Sequence, residues 1–503
     1  MLDTSSDQRP RAIVIGSGFG GLAAAVRLGA RGYRVTVLEK LDKPGGRAYT
    51  YQQDGFTFDA GPTIITAPYL LDELWELAGK RFADHIDLRA SDPFYKIRFD
   101  DGRVFTYSGD TDAMRSEVAK FNTDDLDGFE RFMDASADIY KTAFEDLADV
   151  PFHSLWFTLK SAPDLIRLGG HRSVYSTVCA YFTAPRLRIV FSFHPLLIGG
   201  TPLTTTAYYC LIANLERKFG VHYAMGGTGA LVRGLVDLIE GQGGEVICNA
   251  AVDHIRVQEG TAIGVTLESG EKLDAAITIS NADAGTTHTK LLRNHPRRKW
   301  TDAAVARRDF SMSLFVWYFG TNRRFEECGH HTMELGPRYE ELLKDIFTRK
   351  KLADDFSLYL HRPTASDPSL APEGCDSFYV LSPVPNLQSG VDWEKQAEPY
   401  RQASEKRLEE TMLPCLSEAI VTSHMLTPQD FQDRLSSYHG AAFSIEPKLF
   451  QSAWFRPHNI SQEVKNLFLV GAGTHPGAGV PGVISSAKVL DEVAPDPVVF
   501  ATR

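Results

Sequence analysis

The sequence predicts an α/β protein: a Rossmann-type domain assembled from discontinuous segments, an α+β domain, and a helical region between them. Three observations carry this. Residues 13–39 run as strand, glycine turn, helix, strand and acid, the full dinucleotide fingerprint. Residues 466–493 run as strand, glycine-rich loop and helix at the other end of the chain. Between them, 221–292 forms a helix and a β-meander, a return to the first domain. The expected segments of the nucleotide domain are 1–110, 221–292 and 458–503, with 111–220 helical and 293–457 the α+β substrate domain.

Ile13, Val14 and Ile15 form the short β-branched run of a buried parallel strand. Gly16, Gly18 and Gly21 then occupy the three places of GxGxxG. The first permits the tight turn, and the second lets the backbone approach a pyrophosphate. The third lets the next helix, Gly20 to Arg31, pack closely on the sheet. The N-terminal N–H groups of that helix face the phosphates. Gly32 stops it, and Arg34 to Leu38 forms the second strand. Glu39 follows, 18 residues after Gly21, where an acid accepts hydrogen bonds from adenosine ribose hydroxyls. Gly45-Gly46-Arg47 is a glycine turn carrying a cation, and a diphosphate is its natural partner.

Phe56 to Thr66 reads as a strand that enters a loop at Gly61-Pro62-Thr63, and Pro68 to Ala78 as an amphipathic helix. Ser91 to Ser108 gives strands with a hairpin at Asp101-Gly102. From Thr111 to Lys218 the pattern is helical and dense in large apolar residues. These are Phe152, Leu155, Trp156 and Phe157, then Tyr181 and Phe182, Phe191, Phe193, Leu196 and Leu197, and Tyr208 and Tyr209. Three readings stand open for them: a helical core, the lining of an apolar tunnel, or a surface that dips into a bilayer. After Gly226-Gly227-Thr228-Gly229 come a helix to Gly241 and strands at Glu245–Cys248, Val252–Val257, Ala262–Leu267 and Leu273–Ile279. Asn281-Ala282-Asp283 closes this part as a polar loop.

In the α+β region, Ser311–Gly320 and Ser377–Pro383 are strongly apolar strands. Pro399–Met412 reads as a solvated helix with Pro399 in its first turn. Asn466–Gly471 is a buried-type strand that runs into the glycine-rich loop from Ala472 to Gly482, followed by a helix from Val483. A nucleotide fold built from both chain ends needs a ligand long enough to span them, which suits FAD better than NAD.

The net charge of −11, from 53 basic and 64 acidic residues, disfavours nucleic acid as a partner. Arg297-Arg298-Lys299 and Arg349-Lys350-Lys351 read as solvated surface, with contact to anionic lipid the second reading. The six cysteines lack metal-ligand spacing, so no metal is expected, and they read as reduced cytosolic thiols. Residues 1–10 lack the apolar stretch of a signal peptide, and the longest apolar candidate, Ile189 to Gly200, is broken by Ser192, His194 and Pro195. The expected location is cytoplasmic, at a membrane surface but not across it.

Four stretches, VIGSGFGGLAAAVRL, KPGGRAY, FTFDAGPTIIT and NLFLVGAGTHPGAGVPGVISSAK, resemble the bacterial and fungal type phytoene desaturases of the amine oxidase-like FAD superfamily. The resemblance runs through nearly the whole chain, and GAGTHPGAGVPGV is its most discriminating part. Two departures stand out. Ala472 occupies a place where many members of the superfamily carry an aspartate, which leaves the partner of the ribityl chain open, and Ser485 occupies a place where a glycine is common.

The resemblance implies FAD, with Gly16, Gly18 and Gly21 at its pyrophosphate, Glu39 at its ribose, and Gly45, Gly46 and Arg47 at its diphosphate. It also implies Gly61, Pro62 and Thr63 along the cofactor, the Val252 backbone at adenine, and Gly473, Val480, Pro481 and Gly482 at the flavin end. The implied reaction is desaturation of a long apolar polyene such as phytoene, with hydride passing to flavin N5 and a quinone or oxygen as final acceptor. Such a substrate offers no charge to grip and must bind by burial, at about 25 cal/mol per Å². The group that takes the second hydrogen stays open among His153, His194, His222 and His475. A core or turn role is the ordinary reading of each, and His475 is the candidate nearest the flavin by sequence. Other activities on such a scaffold are a polyene cis–trans isomerase using reduced flavin and an amine oxidase-like enzyme. A lipid-escort protein without flavin chemistry is the alternative from another class. The apolar region argues against the amine oxidase, and the C-terminal loop against the escort protein.

Overall fold

The computed structural model describes residues 8–154, 156, 163 and 167–501. Its organising strand is β1 (Arg11–Ile15), the centre of a five-stranded parallel sheet. On one side of β1 lie β2 (Arg34–Leu38) and then Glu245–Ile247; on the other lie Ile277–Ser280 and then Leu467–Leu469. Three distant parts of the chain therefore share one sheet, as the fingerprint and the C-terminal strand require. Alternation along β1 divides its side chains between two layers. Ala12 and Val14 face the helical layer, where α1 (Phe19–Ala30) packs with Val480–Lys488 and Thr228–Gly241. Ile13 and Ile15 face Ile255 and Val265 of an antiparallel three-stranded layer.

That layer corrects one expected element. The single strand expected over Leu273–Ile279 is two, Lys272–Asp274 and Ile277–Ser280, in different sheets. The chain changes layers at Ala275-Ala276, and an uninterrupted apolar run cannot signal such a crossing.

The second sheet has seven strands in the order Ile420–Leu426, Ser313–Thr321, Asp376–Val384, Leu358–His361, His331–Glu334, Tyr95–Arg98 and Val104–Tyr107. The hairpin through Asp101-Gly102 thus leaves the nucleotide segment expected over 1–110 and extends the second sheet, through a parallel pairing of Tyr95–Arg98 with His331–Glu334. Ser313–Thr321 is buried along its whole length. Phe315, Trp317 and Phe319 point to an outer helix, while Leu314, Val316 and Tyr318 point inward to the main core.

The outer helix is longer than expected. It spans Trp393–Thr411 with Pro399 inside it, whereas the sequence placed Pro399 in the first turn. Proline forfeits the bond its N–H would have made to the Lys395 carbonyl. Burial of Trp393, Ala397, Tyr400 and Leu408 offsets that loss, Tyr400 lying 5.0 Å from Phe315, ring to ring, and bonding Ser382 at 2.7 Å.

The apolar part of 111–220 divides between the core and tunnel readings. Phe182 and Phe191 stack at 4.5 Å and Tyr181 packs on Phe132, all in the core. Phe152, Phe193, Leu196, Leu197, Tyr208 and Tyr209 instead line a cavity. Trp156 is 76% exposed. Leu155 and Phe157 lie outside the described residues. Among the described residues no helix is long and apolar enough to cross a membrane.

Candidate active site

The parallel strands end where an open α/β sheet places its ligands. Gly16, with φ +90°, turns the chain after β1, and its N–H donates to the Leu38 carbonyl at 2.8 Å. Glu39, at the end of β2, is 5% exposed. Its Oε2 accepts from the Ser17 N–H at 2.9 Å and the Ser17 hydroxyl at 2.5 Å, and its Oε1 from the Leu41 N–H at 2.9 Å. A carboxylate has about four acceptor sites, so one stays open toward the cavity that Glu39 lines. The Ser17 hydroxyl also accepts from the Gly45 N–H at 3.0 Å, which ties the fingerprint to the second glycine turn.

The cavity holds about 740 Å³, inside the usual range for a ligand site. Of the residues the sequence assigns to the cofactor, Gly16, Gly18, Glu39, Gly45, Gly46, Arg47, Gly61, Pro62, Thr63, Val252, Val480, Pro481 and Gly482 all line it. Gly21 and Gly473 do not. A Cβ on Gly21 would stand 2.1 Å from the Gly16 carbonyl oxygen, so this glycine serves close helix packing, as the motif predicts. A Cβ on Gly473 would stand 2.5 Å from Ala284, so Gly473 backs the loop, and its neighbours Gly471 and Ala472 form the wall instead. At the far end, Gly479 (φ +95°) opens the helix Val480–Lys488, with Pro481 in its first turn. The free N–H groups of that turn belong to the cavity wall.

Several wall residues were not assigned from the sequence. The Asn281 amide donates to the Gly16 carbonyl at 3.3 Å and would meet a Cβ on Gly18 at 3.1 Å. Asp283 accepts from the Gly285 N–H at 2.8 Å through Oδ1, while its buried Oδ2 has no partner among the described residues. Burial pushes the Asp283 carboxyl up, against the pull of Arg47. Arg47 donates to the Ser437 hydroxyl at 2.8 Å, and its Nε is buried without a partner among the described residues. Arg434 lies over the rings of Tyr49 and Tyr51 and lines the same cavity. The polar loop Asn281-Ala282-Asp283 was visible, and its place directly after a parallel strand was the usable signal. Arg434 follows a short helix with nothing local to mark it.

The histidines separate clearly. His475 lines the cavity but is held as a turn residue: its Nε2 lies 3.1 Å from the Leu147 carbonyl, and its ring packs on Phe152 at 4.7 Å. A carbonyl only accepts, so Nε2 carries the hydrogen. Burial lowers the pKa of His475 to about 4. His194 is buried against Glu216 at 3.2 Å, and Glu216, a cavity residue, also accepts from the Tyr95 hydroxyl at 2.7 Å. His222 and His153 are not on the wall, and His153 is exposed.

A model of the flavin containing amine oxidoreductase family matches residues 19–489. A neurosporene-forming phytoene desaturase of Cereibacter sphaeroides is 53% identical over 97% of this chain and 95% of its own. The chain belongs to the phytoene desaturases, within the flavin-containing amine oxidoreductases. A lycopene-forming phytoene desaturase of Pantoea ananas is 48% identical over 94% of this chain and 97% of its own. Among solved structures, an oxidoreductase of Methanosarcina mazei shares the fold at 18% identity and a TM-score of 0.65, over 96% of this chain and 100% of that one.

The cofactor of a phytoene desaturase is FAD, and the residues present fit it. Two glycine turns and two helix N-termini meet one cavity, cations at Arg47 and Lys40 suit a diphosphate, and Asp283 Oδ2 awaits a donor such as a ribityl hydroxyl. Asp283, at another strand end, is the cavity carboxylate that would take the place of the acceptor Ala472 lacks.

Proposed function

We propose that the protein is an FAD-dependent carotenoid desaturase that converts phytoene, or a closely related carotene, to more conjugated products such as lycopene. The observation that carries this is a single cavity with two chemically different ends. One end is the glycine, arginine and acid cradle. The other is walled by Phe193, Leu197, Ile212, Leu314, Leu381 and Phe443. An amine would need a free charged or polar partner there, and the carboxylate at that end, Glu216, is already taken by the Tyr95 hydroxyl and His194, whereas a polyene needs only burial.

Bound FAD supplies the two-electron oxidant that accepts hydride from the substrate. The chain does the rest by position. The helix N-terminus at Val480–Gly482 favours negative charge at the flavin end. Arg47 would hold the diphosphate, Asp283 and Glu39 would accept from ribityl and ribose hydroxyls, and the apolar wall would exclude water and set which C–H bond is presented.

The enzyme works on the cytoplasmic face of a membrane, bound peripherally, and passes electrons to a quinone or to oxygen. What supports the membrane contact is the rim of the cavity: Leu449, Phe450 and Phe455 both line it and are exposed, Phe450 by 69%. Lys299, from the basic run 297–299, sits 4.7 Å from the ring of Trp454 beside this rim, where it suits anionic headgroups. Arg349, in the other basic run, is paired with Asp345 and Glu341 and reads as solvated surface. The test is expression in cells that make phytoene, followed by pigment chromatography. Neurosporene, lycopene or a similar product is expected. Unchanged phytoene would contradict the reading, and a changed isomer with no new double bonds would favour the isomerase.

A further inference from the structure

We propose that His330, His331 and His361 form a binding site for one divalent late transition-metal ion, of the Zn²⁺ class, behind the tyrosine wall of the cavity. The sheet brings them together. His331 faces His361 across the antiparallel pair His331–Glu334 and Leu358–His361, and His330 directly precedes the first of these strands. One ring nitrogen from each lies within 4.8 Å of the others.

His330 Nε2 and His361 Nε2 are 3.0 Å apart. In a tetrahedral shell two nitrogens each about 2.0–2.1 Å from one ion stand about 3.3–3.4 Å apart, so this pair need open by only a few tenths of an ångström to share an ion. Two of the three opposite ring nitrogens are held as metal-ligating imidazoles usually are, while His361 Nδ1 is buried without a partner among the described residues. His330 Nδ1 lies 2.6 Å from the Ser366 hydroxyl, and His331 Nδ1 lies 2.7 Å from the Tyr359 hydroxyl. That leaves His331 Nε2 buried with no partner among the described residues, in a side chain 2% exposed. Tyr223 packs edge-on to His330 at 4.7 Å, and its hydroxyl is also buried without a partner among the described residues.

Without an ion these groups form one imidazole–imidazole hydrogen bond and, among the described residues, leave three buried polar atoms without a partner, His331 Nε2, His361 Nδ1 and the Tyr223 hydroxyl. With one, the three Nε2 atoms become ligands, and the Tyr223 oxygen or a water completes the shell. Three neutral imidazoles suit Zn²⁺ and its neighbours in the first transition row. The nearest cation, Arg362, donates to the Phe325 carbonyl and lies 3.7 Å from Asp376, which limits its repulsion of the ion. The ion would tie two strands together behind Tyr359, itself a wall residue, so it holds part of the substrate cavity in place rather than touching substrate.

This site does not depend on the desaturase reading, and its test reads metal rather than turnover. FAD-loaded enzyme is equilibrated with Zn²⁺, desalted, and measured by mass spectrometry for zinc per chain, with flavin content as the control for folding. Wild type should retain one equivalent, and His331→Gln and His361→Gln should lose it. Ser366→Ala, which removes only a supporting hydroxyl at a partly exposed position, should keep its flavin and bind zinc about 10–100-fold more weakly. Absence of zinc from wild type would overturn the site. So would retention by both histidine variants at the wild-type level, which would mark adventitious surface binding, or unchanged affinity in Ser366→Ala.

Discussion

Gly18 and Gly21 belong to one motif but meet different neighbours, and substitution separates them. A side chain at Gly18 points toward the Asn281 amide and the cavity, so Gly18→Val should strip flavin from the protein while the apoprotein keeps its urea midpoint. At Gly21 a Cβ would strike backbone, so Gly21→Ala should lower the apoprotein's stability as well, by about 1–3 kcal/mol. Flavin absorbance and denaturation of both apoproteins check this pair. His475 gives a second residue-level outcome. Its pKa falls from the ordinary 6.5 to about 4 on folding, because burial disfavours the charged ring. Below pH 6.5 the unfolded chain binds a proton that the native state refuses. The stability tied to this group is therefore complete above that pH and lost as pH falls toward 4. His475→Gln, which keeps an N–H for the Leu147 carbonyl, should lessen the acid destabilisation between pH 7 and 4, by up to about 3 kcal/mol. It should also keep its desaturase activity. Loss of activity with flavin retained would make His475 the proton acceptor after all. Much of the site was legible at this scale, because Gly16, Gly18, Glu39 and Arg47 announce themselves within short motifs. Asn281, Asp283 and Arg434 did not, since only the folded sheet brings them beside those motifs.

At the scale of elements, local patterns identified strands and helices well and their partners poorly. The run Leu273–Ile279 looks like one strand because both halves are apolar, yet its halves belong to different sheets. Tyr95–Tyr107 was recognisable as a hairpin, but nothing in its sequence states that it pairs with His331–Glu334, far along the chain. The same applies to the histidine trio, which sequence spacing hides and strand register assembles. The short rim segment around Leu449–Gln451 and Ala453–Phe455 carries this scale's prediction. The sequence placed the membrane surface within 111–220, while exposed aromatic side chains at the cavity mouth also occur at Phe450 and Phe455. Replacing both with serine should reduce flotation with anionic liposomes and leave flavin content unchanged. Equal flotation of variant and wild type would exclude this rim as the membrane contact.

The whole molecule is a nucleotide sheet closed by both ends of the chain and a second sheet whose inner face walls off an apolar chamber. The first was legible because its strands sit next to glycine motifs. The chamber was legible only in part: the apolar stretch from Phe152 to Tyr209 offered a tunnel lining as one of its readings, but the rest of the wall, drawn from separate stretches as far as Phe455, reads as ordinary core by itself. Joining the two spaces in one cavity is what lets a bound flavin act on a substrate without a polar group, and this is the account's central claim. Anaerobic mixing of oxidised holoenzyme with phytoene in liposomes tests it most directly. The flavin's visible absorbance should fall as the spectrum of a longer conjugated system appears, and a quinone or oxygen added afterwards should restore it. Extended conjugation with flavin absorbance unchanged throughout would contradict the account.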